Sequence, residues 1–195
     1  MYKNWLICFQ LAVVILGTLL LPAPLLADEY AKFTSSNFGF SFEYPSSWEF
    51  RPHVFPNVQA AVGPKNGGMA ECAISIKLLP ETKSMRQKDL DNYSSQKSTP
   101  SEIEESLKLQ YNDVQVIATG NTMLDDRPAR VERVRYSAAS QKGKIFVYSL
   151  SITTAKPGRI WTLGCSGTGW SSHEAEKNFG QRQMDINRLI STFRF

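Results

Sequence analysis

Apolar and polar residues alternate over much of this chain, and elsewhere they recur at helical spacing. Phe38, Phe40, Phe42 and Tyr44 alternate with Gly39, Ser41 and Glu43. A period of two puts the four aromatics on one face of a strand, which Pro45-Ser46-Ser47 ends. A loop rich in Pro and Asn is expected over 52–57, a short strand over 59–62, a turn over 64–68 and a strand over 70–79. The middle of the chain predicts helices. Leu90 and Tyr93 mark one over 85–96. A second begins at Thr99-Pro100-Ser101-Glu102, where Thr99 suits the N-cap, Pro100 the first turn and Glu102 the reciprocal bond of a capping box. Ile103, Leu107 and Tyr111 then share one face.

From residue 114 the pattern predicts an antiparallel meander. Strands are expected over 114–124, 129–136, 144–154 and 159–165, separated by short turn-forming stretches such as Asp125-Asp126-Arg127-Pro128 and Lys156-Pro157-Gly158. Connections this short join adjacent antiparallel strands. Phe146, Tyr148, Leu150 and Ile152 line one face of the third, while Ser149, Ser151 and Thr153 make the other face wetter. The glycine-rich stretch 164–169 lacks the lysine of a phosphate-binding loop and reads as a flexible turn. One long closing helix is expected to follow, capped by Ser171 and Glu174. Its apolar stripe is Ala175, Phe179, Ile186, Leu189, Ile190 and Phe193.

The amino end reads differently. Lys3 is the only charge in residues 1–27, the apolar run begins at Trp5, and Pro22 and Pro24 break it before Leu25-Leu26-Ala27. A positive start, an apolar middle and a small residue at the cut predict a cleavable export signal over 1–27; the rival is an uncleaved anchor, against which the two prolines and Ala27 speak. Cys8 lies inside the apolar run, so no lipid anchor is expected. Residues 28–195 then form one domain with no further membrane span. Without Lys3 the formal charge of +4 falls to +3, too mild a balance for nucleic acid as the main partner.

After the signal, Cys72 and Cys165 are the only cysteines, in a compartment that permits disulfides. Each sits on the apolar phase of its strand, so the two are either bonded or buried as small hydrophobes. Other chemistry is poorly provided for. His53 and His173, the only histidines, lack companions at metal-ligand spacing. A nucleophile–base pair of Cys165 with His173 is opposed by the apolar flanks of Cys165. The acidic residues are scattered and match no calcium loop. No catalytic, metal or cofactor residue is therefore assigned. The remaining candidate is basic. If the meander pairs through short hairpins, Arg127 lies near Thr154, and Thr154 near Arg159. Arg127, Lys156 and Arg159 then gather at one end of the sheet, with Arg133 and Arg135 farther along. Such a group suits carboxylates or phosphates on a partner, against the competing expectation of local pairing with Asp125, Asp126 and Glu132.

Two stretches resemble a known family: Phe40-Ser41-Phe42-Glu43-Tyr44-Pro45-Ser46-Ser47-Trp48, and residues 159–195. With the order strand, helical middle, meander and closing helix, they make the chain similar to the PsbP-like family, named for an extrinsic lumenal photosystem subunit. The resemblance implies an α+β fold: an α/β/α sandwich around a central antiparallel sheet, shared with a nuclear Ran-binding protein. It also implies a non-catalytic accessory protein acting on an envelope or lumenal protein complex, in a periplasm, in a lumen or outside the cell. No photosystem contact residue is matched position by position. The alternative is an envelope domain that holds a small apolar or anionic ligand between sheet and helices.

Overall fold

The computed structural model describes residues 30–51, 57–65 and 70–195. The expected signal over 1–27, with Cys8, lies outside these residues, as do His53 and most of the expected loop and turn around 52–57 and 64–68.

Seven strands form one antiparallel sheet. They are β3 (Trp48–Arg51), β4 (Val58–Pro64), β5 (Ala70–Leu78), β6 (Asn112–Leu124), β7 (Arg127–Ser140), β8 (Gly143–Lys156) and β9 (Arg159–Gly169), in the spatial order β3-β4-β5-β9-β8-β7-β6. The meander β6 to β9 runs through consecutive neighbours, and β9 closes against β5. Two further strands, β1 (Tyr30–Ser35) and β2 (Phe40–Pro45), pair with each other in a two-stranded sheet of their own. The predicted aromatic strand is therefore half of a separate hairpin, outside the central sheet.

Register fixes what each face carries. Cys72 lies opposite Cys165, Ile74 opposite Leu163 and Ile76 opposite Trp161, and Leu150 and Ile152 extend the same rows onto β8. This face holds the main core. Phe40 and Phe42 from the hairpin join it, with Ala175 and Phe179 from α3 (Ser172–Gly180) and Ile186, Leu189 and Phe193 from α4 (Gln183–Thr192). Burying each large side chain contributes about 1.5–3 kcal/mol. The opposite face carries hydroxyls: Ser75, Thr162 and Thr153 in one row, Ser166 and Ser149 in another. At one side of it lie α1 (Gln87–Ser94) and α2 (Pro100–Lys108). Ser94 on α1 accepts a hydrogen bond from the Ala155 N–H at 3.1 Å. Ile103 of α2 packs with Val114 and Val134 in a smaller core of its own. The result is a three-layer α/β/α sandwich whose third layer includes the β1–β2 hairpin.

Three expectations need correction. First, the long closing helix is two helices. Gly180 ends α3, and Arg182 leaves helical geometry at φ −110° and ψ 10°. Glycine is about 1 kcal/mol worse than alanine inside a helix, and the break lets α3 lie on β8 and β9 while α4 lies on β2. Second, 164–169 is no flexible turn but the end of β9, where its glycines permit close packing of α3. A Cβ on Gly167 would stand 2.4 Å from both Ala175 O and Phe179 N, and one on Gly169 would stand 2.8 Å from Ala175 N. Third, the register differs by two residues: Thr154 lies opposite Trp161, and Lys156 opposite Arg159. A shift of two preserves which face each side chain takes.

Cys72 and Cys165 are directly opposed on β5 and β9, with sulfurs 2.11 Å apart, a disulfide distance, across a sequence separation of 93.

Candidate functional site: a basic end with an aromatic niche

Two tight turns and the chain terminus build one end of the sheet. Asp125 and Asp126 both adopt positive φ, 48° and 58°, the left-handed pair required by the two-residue hairpin joining β6 to β7. Pro157 followed by Gly158 at φ 79° turns β8 into β9, with proline and glycine where a type II turn needs them. These turns set Arg127 opposite Leu124 and Lys156 opposite Arg159. Lys156 and Arg159 then share the core-bearing face, while Arg127, at the first position of β7, reaches toward α1.

The carboxyl end completes the site. After α4, Arg194 exchanges both backbone hydrogen bonds with Ser41 of β2, each 2.8 Å long. This bridge carries Phe195 onto the ring of Trp161, with centroids 5.2 Å apart. The Phe195 N–H donates to Asp125 Oδ2 at 2.9 Å, which ties the terminus to the β6–β7 turn.

The electrostatics show how far the three cations interact. Burial pushes the Lys156 ammonium below its ordinary pKa; Arg127 and then Arg159 press the same way, and Asp125 opposes them. Lys156 Nζ stands 4.5 Å over the Phe195 ring, a favourable cation–π placement. Arg127 reaches Asp91 of α1 at 3.5 Å, and Arg194 reaches Asp125 at 3.5 Å. Arg159 makes no ion pair among the described residues. The competing expectation of pairing with Asp125, Asp126 and Glu132 therefore misplaces the partner of Arg127, which lies on a helix. Farther along the sheet, Arg135 pairs with Glu176 of α3 at 2.5 Å, and Arg133 is exposed.

Beside the cations is a niche of about 150 Å³ lined by Phe38, Lys156, Pro157, Arg159, Trp161 and Phe195. Phe38 also borders a second depression of about 230 Å³, which contains Phe33 and Phe50, stacked at 4.5 Å. Sequence reasoning missed these aromatics. The alternating pattern makes Phe38 one more strand residue, and nothing in the local pattern marks Phe195 as the neighbour of Trp161. Cations edging an aromatic hollow suit a carboxylate accompanied by an apolar or aromatic group.

Among the described residues, no three His, Cys, Asp or Glu side chains form a group able to hold a metal. His173 is exposed in the first turn of α3, and the Cys165 sulfur is engaged with Cys72.

No protein-family model matches the chain, and no curated protein matches it by sequence. Solved structures do. Cyanobacterial PsbP (CyanoP) from Synechocystis sp. PCC 6803 superposes with a TM-score of 0.55 at 13% identity, over 88% of this chain and 95% of that one. The chain has the PsbP-like fold. The Saccharomyces cerevisiae Ran-binding protein Mog1p is also similar, with a TM-score of 0.50 at 7% identity over 85% of this chain and 95% of its own. LpqN of Mycobacterium tuberculosis gives 0.49 at 10% identity, over 85% and 89% of the two chains. At such identities the likeness of PsbP and Mog1p to this chain is one of fold.

Proposed function

We propose that this PsbP-like chain is an exported, non-catalytic accessory protein that docks on an envelope or lumenal protein complex. Its docking surface is the end carrying Arg127, Lys156 and Arg159. The observation that carries this reading is that Lys156 and Arg159 edge an aromatic niche, with Arg127 near enough to act on Lys156 and Arg159 making no ion pair among the described residues. An acidic segment bearing an apolar or aromatic side chain would neutralise the cations and fill the hollow.

Export is supported by the signal pattern over 1–27 and by cysteines at disulfide distance, which belong to an oxidising compartment. No helix among the described residues is long and apolar enough to cross a membrane. The Ran-binding protein Mog1p offers an example of this fold in a binding role. The test is crosslinked capture from the native envelope with the tagged protein lacking residues 1–27, followed by mass spectrometry. One enriched membrane or lumenal complex is the expected result, and the absence of any specific capture would overturn the proposal.

A further inference from the structure

The hydroxyl-bearing face of the sheet contains a further cavity, remote from the basic end in chemistry and independent of the reading above. It is a groove of about 280 Å³ between the end of α2 and strands β7 to β9. Cavities for drug-sized ligands commonly span about 300–1,000 Å³, so this one takes something smaller. Its wall is formed by Leu107, Tyr111 and Tyr136, with the two tyrosine rings packed at 4.3 Å. Its floor is Ser149, Ser151 and Ser166, where a sheet core would ordinarily place aliphatic side chains. Gly164 lies among them, and a Cβ built there meets no atom within 4 Å. The space above the floor is therefore open at its centre.

Charge selects the ligand. Glu132 lines the groove, and no Lys or Arg does among the described residues. Its neighbour Arg130 is directed elsewhere: it donates to Ser98 Oγ at 3.2 Å and lies 5.0 Å over the Tyr93 ring. Burial pushes the Glu132 carboxyl up, with Arg130 pulling it back only in part. Here a half-buried carboxylate with no ion pair among the described residues faces hydroxyl groups and two aromatic rings. An anionic ligand would meet only repulsion, and a purely apolar one would strip water from Glu132 and the serines without replacing it. A cation satisfies all three features at once: the carboxylate as counter-ion, the rings as cation–π partners and the hydroxyls as acceptors.

We propose that this groove is a binding site for an organic ammonium group carried by a small primary amine, with Glu132 as its counter-ion and Tyr111 and Tyr136 beside it. Of the two ligand types expected between sheet and helices, apolar and anionic, the groove fits neither.

The test is titration of the purified protein with phenethylamine and with its neutral counterpart phenethyl alcohol, followed by calorimetry and amide NMR shifts. The amine is expected to bind at least about tenfold more tightly, the worth of one hydrogen-bonded charge, with shifts at Ser149, Ser151 and Gly164. Glu132→Gln should remove that advantage. Gly164→Val should abolish binding of the amine while leaving the fold intact, since the added side chain enters open space. Equal affinity for the alcohol, unchanged amine affinity in Glu132→Gln, or no binding of either probe would overturn the proposal. Tighter binding of Nα-acetyl-lysine methylamide than of the free amine would also overturn it, in favour of a lysine on a protein partner.

Discussion

Gly167 and Lys156 illustrate two ways in which single residues are constrained here. At Gly167 the constraint is space, because the α3 backbone occupies the position a side chain would take. Gly167→Ala is expected to destabilise the protein by about 1–3 kcal/mol through forced displacement of α3, measured by urea unfolding. Gly164→Ala, on the same strand but over open space, should change stability by less than about 0.5 kcal/mol. At Lys156 the constraint is charge. Its pKa is lowered first by burial and then by Arg127, so the folded state binds its proton less readily than the unfolded chain. Stability must then rise with pH between the lowered folded pKa and the ordinary lysine value near 10.4. Below that window the charged amine costs stability. Lys156→Met should therefore unfold at an equal or higher denaturant concentration at pH 7, yet capture less partner. A residue that weakens the fold and strengthens binding is the signature expected of a docking site.

At the scale of elements, local chemistry was legible wherever it acts over a few residues. The Thr99 capping box is present in full: the Thr99 hydroxyl accepts from the Glu102 N–H at 3.3 Å, and the Glu102 carboxylate accepts from the Thr99 N–H at 2.8 Å. Thr99→Ala should cost about 1 kcal/mol, detectable as a lower unfolding midpoint. The Ser171 cap formed differently, with Glu174 turning to the Trp170 N–H at 2.8 Å. The break between α3 and α4 is hidden by phase. Phe179 and Ile186 are seven residues apart, close to two helical turns, so their stripe looks continuous although the chain bends between them. The glycines of β9 misled for another reason. Glycine marks flexibility or close approach equally well, and only α3 lying against Gly167 distinguishes the two. Strands β1 and β3 lacked enough length or alternation to register as strands.

For the whole molecule, alternation alone was enough to place Cys72 and Cys165 on inward faces, and the long-range register then set them opposite each other. Replacing both with alanine should remove about 2–4 kcal/mol of stability, and reduction of the native protein should lower its midpoint in parallel. The candidate site was half legible. Hairpin logic brought Arg127, Lys156 and Arg159 to one end even with its register two residues out, because such a shift keeps every side chain on its face. The niche beside them was not legible, since it depends on Phe38 from a separate hairpin and Phe195 from the chain terminus. Both arrive there through the Ser41–Arg194 bridge and the packing of α4, contacts between segments far apart in sequence.

The central claim, that this end docks a partner, is tested most directly by quantitative crosslinked capture with Arg127→Glu/Arg159→Glu set against Arg133→Glu. The first variant reverses both arginines of the basic end, and the second reverses one charge at an exposed position elsewhere on the sheet. With both variants shown to unfold like the unmodified protein, the account predicts at least a tenfold loss of captured partner for the double variant and full capture for Arg133→Glu. Undiminished capture by the double variant would contradict it.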